Sequence, residues 1–305
     1  MSRLSAALVV ALTVSLLPLA GAPPAVAAPS PTPDLRAVIV GVNQFLGKTR
    51  PNIGAAQDAT NAREALIRNG WPESSIRLLT DAAATAANMR SALQWLSENK
   101  DPDSYSVFFY SGHVKQMPGD LDHDGEAVDE YLWPHDNQFI SDGELAGYLK
   151  GIGGNAWIAI AGCEAAGFDD GVSNDKRVFT ASSLESEKSY EYPQWSTSVW
   201  GGLFVEQGML QGKADANHDG TVTLYEAAEY ATRIAPQMTA GQETGPQHPY
   251  LSGGGGGGAQ KTLRPPPPPP AADSQPAPGP AAPGVPPLCL GTICLQDLLN
   301  GLLKH

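Results

Sequence analysis

A histidine and a cysteine each follow a short apolar run. Ser106-Val-Phe-Phe-Tyr110 leads into Ser111-Gly-His113, and Ala156-Trp-Ile-Ala-Ile-Ala161 leads into Gly162-Cys163. A thiol with an ordinary pKa near ~8.5 becomes a good nucleophile when a neighbouring imidazole stabilises the thiolate. His113 and Cys163 are 50 residues apart, so this chemistry requires that the two runs be adjacent strands ending at the same sheet edge. The competing reading is a buried structural thiol and a histidine satisfied at a strand end.

A second constellation suits a hard cation. Asp215-Ala-Asn-His-Asp-Gly-Thr-Val-Thr-Leu-Tyr-Glu226 fits positions 1, 3, 5, 6 and 12 of the twelve-position EF-hand calcium loop. Asp215, Asn217 and Asp219 would supply side-chain oxygens, Thr221 a backbone carbonyl, and Glu226 a bidentate carboxylate, with Gly220 allowing the sharp turn. The segments on either side, Trp200 to Leu210 and Leu224 to Ile234, have helical character. Calcium is therefore the expected cofactor, and no organic cofactor is implied. Asp120-Leu-Asp-His-Asp-Gly125 starts the same way but has Tyr131 where the bidentate acid should fall. It reads as an incomplete loop or an acidic surface turn. His123, His135, His218 and His248 lack the paired spacing of a zinc site.

The elements that must position these residues follow from periodicity. Strands are expected at Ala37 to Val42, Ile76 to Leu79, Ser106 to Tyr110, Ala156 to Ala161 and Arg177 to Ala181, with helices at Ala55 to Arg68, Ala87 to Asn99 and Asp142 to Leu149. Ser141 and Glu144 have the spacing of a capping box before the last helix. Near-continuous apolar strands alternating with helices imply an α/β fold, a mainly parallel sheet sandwiched by helices. Reacting groups in such sheets collect at the carboxyl ends of strands, where His113 and Cys163 lie.

Composition bounds the setting. The chain has 305 residues and a net charge of −13, which disfavours nucleic acid as a partner. Residues 1–28 carry a single charge, Arg3, an apolar run and small residues at Ala25-Val26-Ala27-Ala28, the build of a secretory signal peptide. A secreted or envelope-associated protein is expected, and no other window suggests a transmembrane span. A folded domain is expected over residues 29–252, a Gly/Pro-rich linker over 253–287 and a short amphipathic segment over 288–305. That segment holds Cys289 and Cys294, close enough in sequence for a small-loop disulfide if the turn permits. Its stripe of Leu295, Leu298, Leu299, Leu302 and Leu303 suits an envelope or partner contact.

Phe108-Phe-Tyr-Ser-Gly-His113, the acidic stretch Asp120 to Glu130 with Leu132-Trp-Pro134, the strand ending in Cys163, and Val178-Phe-Thr-Ala-Ser-Ser183 together resemble the caspase-like cysteine peptidases, closest to bacterial metacaspase-type members. Val38-Ile-Val-Gly-Val-Asn43 and Gly54-Ala-Ala-Gln-Asp-Ala59 resemble that family's first strand and helix. The resemblance covers roughly residues 36 to 252. It implies a caspase-haemoglobinase fold, a His113/Cys163 dyad and hydrolysis of polypeptide substrates through a thioester. Asp129 matches the acidic residue of the family's Asp-Glu pair and would favour a cationic substrate group. Three positions depart from the pattern. Val114 replaces the glycine after the histidine and would resist a positive φ. Ala161 replaces an aspartate two residues before the cysteine, and Glu164 would raise the thiol pKa if it points inward. The first reading is a secreted, calcium-binding cysteine endopeptidase. The second is a non-catalytic calcium-binding scaffold or interaction protein of the same fold.

Overall fold

The computed structural model describes residues 34–264, apart from Asp122, Asp124, Asp170, Gly256 and residues 258–260, together with Cys289–Leu290 and Ile293–Cys294. In chain order the elements are β1 (Leu35–Gly41), α1 (Ala55–Arg68), β2 (Ile76–Thr80), α2 (Ala86–Ser97), β3 (Tyr105–Ser111), β4 (Val114–Pro118), β5 (Val128–Leu132), β6 (Ile140–Ser141), α3 (Asp142–Leu149), β7 (Asn155–Ala161) and β8 (Arg177–Ala181). Then come β9 (Glu191–Tyr192), β10 (Thr197–Ser198), α4 (Val199–Gly201) running into a π-helical stretch (Gly202–Leu210), α5 (Leu224–Thr239) and β11 (Tyr250–Gly253).

The main sheet has the order β11-β8-β7-β3-β1-β2, parallel throughout except for β11. Its inner strands are buried on both faces, which is why they read as unbroken apolar runs. Successive side chains go to opposite sides. Ile39, Phe109 and Trp157 face α1, the π-helical stretch and α5, whereas Val38, Phe108 and Ile158 face α2 and α3. On the first side Phe109, Trp157, Trp200 and Phe204 form a chain of ring contacts with centroids 4.7–6.2 Å apart. Each such contact contributes on the order of 1 kcal/mol beyond its area burial.

The helices follow their sequence signals. α1 buries Ala55, Asp58, Ala59, Ala62, Ala65 and Leu66, a stripe of helical spacing. The hydroxyl of Ser141 caps α3 by accepting from the Glu144 amide (3.1 Å), but the Glu144 carboxylate turns to Arg90 on α2 (2.7 and 2.8 Å), so the expected box is half made. α5 has the complete box, between Thr223 and Glu226.

Three features depart from the expectation. The acidic stretch after His113 lies between strands of a small antiparallel sheet, β4-β5-β6. The helical segment before the calcium-type loop is largely π-helical. The packed body also runs past residue 252. β11 pairs with β8, and Leu263, 2 % exposed, is anchored where Trp71 Nε1 donates to its carbonyl at 2.6 Å. The Leu224 amide donates to Lys261 O at 2.9 Å, and Thr223 bridges Thr262. The reason is burial: Leu263 fills an apolar site that the glycine run before it concealed.

In a separate unit Cys289–Leu290 and Ile293–Cys294 pair antiparallel with Cys289 opposite Cys294. The expected signal peptide, the proline run and the leucine stripe lie outside the described residues. No helix among the described residues is long and apolar enough to cross a membrane.

Candidate active site

β3 and β7 are hydrogen-bonded neighbours with Ser111 opposite Ala161, and the Gly112 amide donates to Ala161 O at 3.0 Å. His113 and Cys163 each lie two residues beyond that last matched pair, so the register sends both out of the sheet at one edge. Both line an open cavity of about 340 Å³, with walls from the 50–55 segment and from Ser189 to Pro193.

His113 is held from behind by aromatic rings and by its turn. Its ring stacks on Phe45 (centroids 5.0 Å apart, planes 20° apart) and tilts against Trp133 at 5.8 Å. The buried Tyr110 hydroxyl donates to His113 O (2.6 Å) and accepts from the Trp133 amide (3.1 Å), pinning the turn. His113 Nε2 lies 2.8 Å from Arg50 O. A carbonyl only accepts, so Nε2 carries the proton and Nδ1 is the nitrogen available to take another.

The turn carrying Cys163 is gripped by the serines that follow β8. Ser182 Oγ accepts from the Gly162 amide (3.0 Å) and donates to Gly162 O (2.8 Å), while Ser183 Oγ accepts from the Ala165 amide (3.2 Å). The sulfur meets Ser189, whose amide donates to Sγ at 3.5 Å. Burial raises the Cys163 thiol above its ordinary value. The Ser189 bond opposes burial, Glu164 adds to it and Lys188 offsets it. Glu164 does turn inward, as the sequence warned, but it is ion-paired with Lys188.

Val114 opens β4 opposite Leu132 and is absent from the residues with positive φ. The expected strain at that position is not realised, because a β-branched side chain suits a strand.

Asp129 is not in the cavity. It is fully buried on β5, where its Oδ2 accepts from the Leu121 amide (2.8 Å) and from the Tyr131 hydroxyl (2.9 Å). The expected contact with substrate is thereby corrected: strand pairing within β4-β5-β6 aims this carboxylate at its own hairpin. A different carboxylate lies beneath the cleft. Asp58, fully buried on α1, accepts from the Ser111 hydroxyl (2.8 Å) and the Ser198 amide (3.1 Å), and burial raises it to about 7. The motif containing it was legible, yet nothing in that motif marks its neighbours on β3 and β10. Ser189 carries no sequence signal either.

The calcium-type loop is folded on itself. Asp215 accepts from the amides of Asp219 (3.1 Å) and Gly220 (2.9 Å), Asn217 Oδ1 from Asp219 (2.8 Å), and Asp219 Oδ1 from Thr221 (2.8 Å), with Gly220 at φ +80°. Glu226 caps α5 from within the loop, its Oε2 accepting from the amide and hydroxyl of Thr223, each at 2.9 Å. Another group of acids lies at the edge of the small sheet. Glu126, Glu130 and Asp142 bring carboxylate oxygens within 4.8 Å of one another, among the described residues. Burial raises Glu130 to about 7, against the opposing hydrogen bonds of Gln116 and Asp142.

A mainly parallel sheet with a histidine and a cysteine just beyond adjacent strand ends, both lining one cleft, defines the class as an α/β protein. Residues 34–241 match the caspase domain, and the chain belongs to that family. It is 36 % identical over 109 residues to metacaspase-1 of Cryptococcus neoformans, covering 33 % of this chain and 23 % of that protein. It is 36 % identical over 120 residues to metacaspase-3 of Arabidopsis thaliana, covering 36 % and 32 %. The matched part thus spans about a quarter to a third of these relatives. Among solved structures, protein GSU0716 from Geobacter sulfurreducens aligns with a TM-score of 0.57 at 14 % identity, covering 75 % of this chain and 98 % of that one. At that identity the likeness concerns the fold alone.

Proposed function

We propose that the protein is a secreted cysteine endopeptidase using Cys163 as nucleophile and His113 as proton carrier. The observation that carries this reading is the β3–β7 register, which delivers both side chains to one open cleft. His113 Nδ1 takes the thiol proton, and the sulfur attacks the scissile carbonyl carbon. Backbone N–H groups at the cysteine and histidine turns, Cys163 N–H first among them, hold the oxyanion. Its collapse breaks the peptide bond, and the amine leaves with the proton from His113. Water then hydrolyses the thioester with the same imidazole as base.

Calcium is part of the proposal. At the Asp215 loop the donors are hard oxygens, as the ion requires, and Thr221 O and Glu226 complete the set once Glu226 exchanges its bonds to Thr223. The Glu126, Glu130 and Asp142 group offers a second set of hard oxygens, within 4.8 Å of one another. Bound calcium would neutralise these carboxylates and fix the segments that carry them. The apolar leucines of residues 295–303 would supply an envelope or partner contact.

The test is cleavage of a peptide library by the full chain, with and without calcium, alongside labelling by a thiol-reactive peptide. Cys163→Ala and His113→Ala should each abolish turnover, and the double variant should be no worse, since residues acting as a unit are non-additive. No cleavage, together with an alkylation rate no higher than that of a model thiol, would overturn the peptidase and leave a caspase-fold scaffold.

A further inference from the structure

Glu164 directly follows the nucleophile, is 4 % exposed, and holds φ +50°. A non-glycine residue keeps that left-handed conformation only where its surroundings determine it. Residues 187–189 do so here. The Glu164 amide donates to Glu187 O at 2.8 Å, and its carboxylate pairs with the Lys188 ammonium. The next residue meets the sulfur with both backbone groups: Ser189 N–H donates to Sγ at 3.5 Å, and Ser189 O accepts from it at 3.8 Å. The far side of the segment is also fixed. The Tyr190 amide donates to Gln247 Oε1 (3.0 Å), and the Glu187 carboxylate accepts from the His248 amide (2.8 Å).

The two contacts of Ser189 act on different states of the sulfur. Its carbonyl serves only the protonated thiol, whereas its N–H strengthens as negative charge forms. The Glu164 carboxylate repels that charge and the Lys188 ammonium attracts it. Resting on the reading of Cys163 as nucleophile, we propose that Glu164 and Lys188 are positioning residues whose ion pair presses the Ser189 peptide onto the sulfur and balances the charge beside it. The other titratable or charged groups facing this cavity are His113, Arg50, Tyr190 and Glu191.

The experiment is the pH dependence of Cys163 alkylation by iodoacetamide in the full chain, followed by mass spectrometry of the Cys163 peptide so that Cys289 and Cys294 do not contribute. Lys188→Met should move the midpoint upwards by at least ~0.5 pH unit, Glu164→Gln should move it downwards, and the double variant should return towards wild type. Lys188→Arg should restore the wild-type profile. A merely structural pair would shift both single variants in the same direction, which would overturn the proposal, as would two unchanged midpoints. Should Glu164→Gln fail to fold, the Lys188 variants decide, because that side chain is 49 % exposed. Unchanged midpoints with intact, Cys163-dependent peptidase activity would remove the positioning role and keep the nucleophile. Opposite shifts without peptidase activity would do the reverse.

Discussion

Val114 fills the space that a side chain on Gly162 would need: a Cβ built on Gly162 lies 2.6 Å from Val114 Cγ2, and 3.0 Å from Gly112 O. The residue after the histidine and the residue before the cysteine are therefore fitted to each other across the strand ends. The branched side chain belongs to the packing that holds the two turns together.

Gly162→Ala should consequently cost ~1–3 kcal/mol and slow Cys163 alkylation, with Val114→Ala recovering part of the loss in the double variant. Val114→Gly alone should cost about 1–2 kcal/mol and give no gain in peptide turnover. Urea unfolding and alkylation rates measure both effects. A more active Val114→Gly enzyme would mean that the strand geometry at Val114 is not that of the working site.

Asp58 makes stability depend on pH. Its folded-state value, raised by burial to about 7, exceeds the ordinary 3.8. The cost of ionising it is absent below about pH 4, grows as pH rises through the interval and is complete above pH 7. Stability should therefore fall between about pH 4 and pH 7 by an amount on the order of a few kcal/mol. Asp58→Asn, which keeps an acceptor for the Ser198 amide, should flatten the profile. An equal slope in both proteins would contradict this account.

At the Asp215 loop, Glu226→Gln should weaken calcium binding by at least ~10-fold, because it removes the carboxylate charge and leaves one neutral oxygen where the bidentate ligand had two. Titration calorimetry on both forms is the measurement. No binding by the wild type, or equal affinity in the variant, would reduce the loop to a turn with a capped helix behind it.

The 261–264 segment is expected to be part of the domain. Truncation after Ser252 should lower the melting temperature by more than ~5 °C, whereas truncation after Arg264 should leave it nearly unchanged. Leu263→Ala should reproduce much of the loss, ~2–3 kcal/mol, since the side chain is 2 % exposed. Equal melts for the full chain and the Ser252 truncation would show that this packing carries no stability.

The strands were legible because a parallel sheet covered on both faces needs every side chain apolar, and Val38-Ile-Val and Val107-Phe-Phe satisfy that without tertiary information. α1 and α3 were equally plain, through helical spacing and the Ser141 cap. The pairing of His113 with Cys163 depended on strand order, which is a property of the crossovers; sequence supplied two strand ends, and the β3–β7 register made them neighbours. Polar residues were least legible, because a carboxylate's role depends on which partners reach it. Asp129 was expected to meet a cationic substrate group yet is claimed by the Leu121 amide and Tyr131. Glu226 stood at a metal-ligand position and went to Thr223. Leu263 lay beyond a glycine run and still found Trp71, while Ser189 carried no mark and lies against the thiol. Apolar burial is set by local pattern, because any covered face will do. Hydrogen bonds are directional and short, so their partners were decided only when the chain had folded around them.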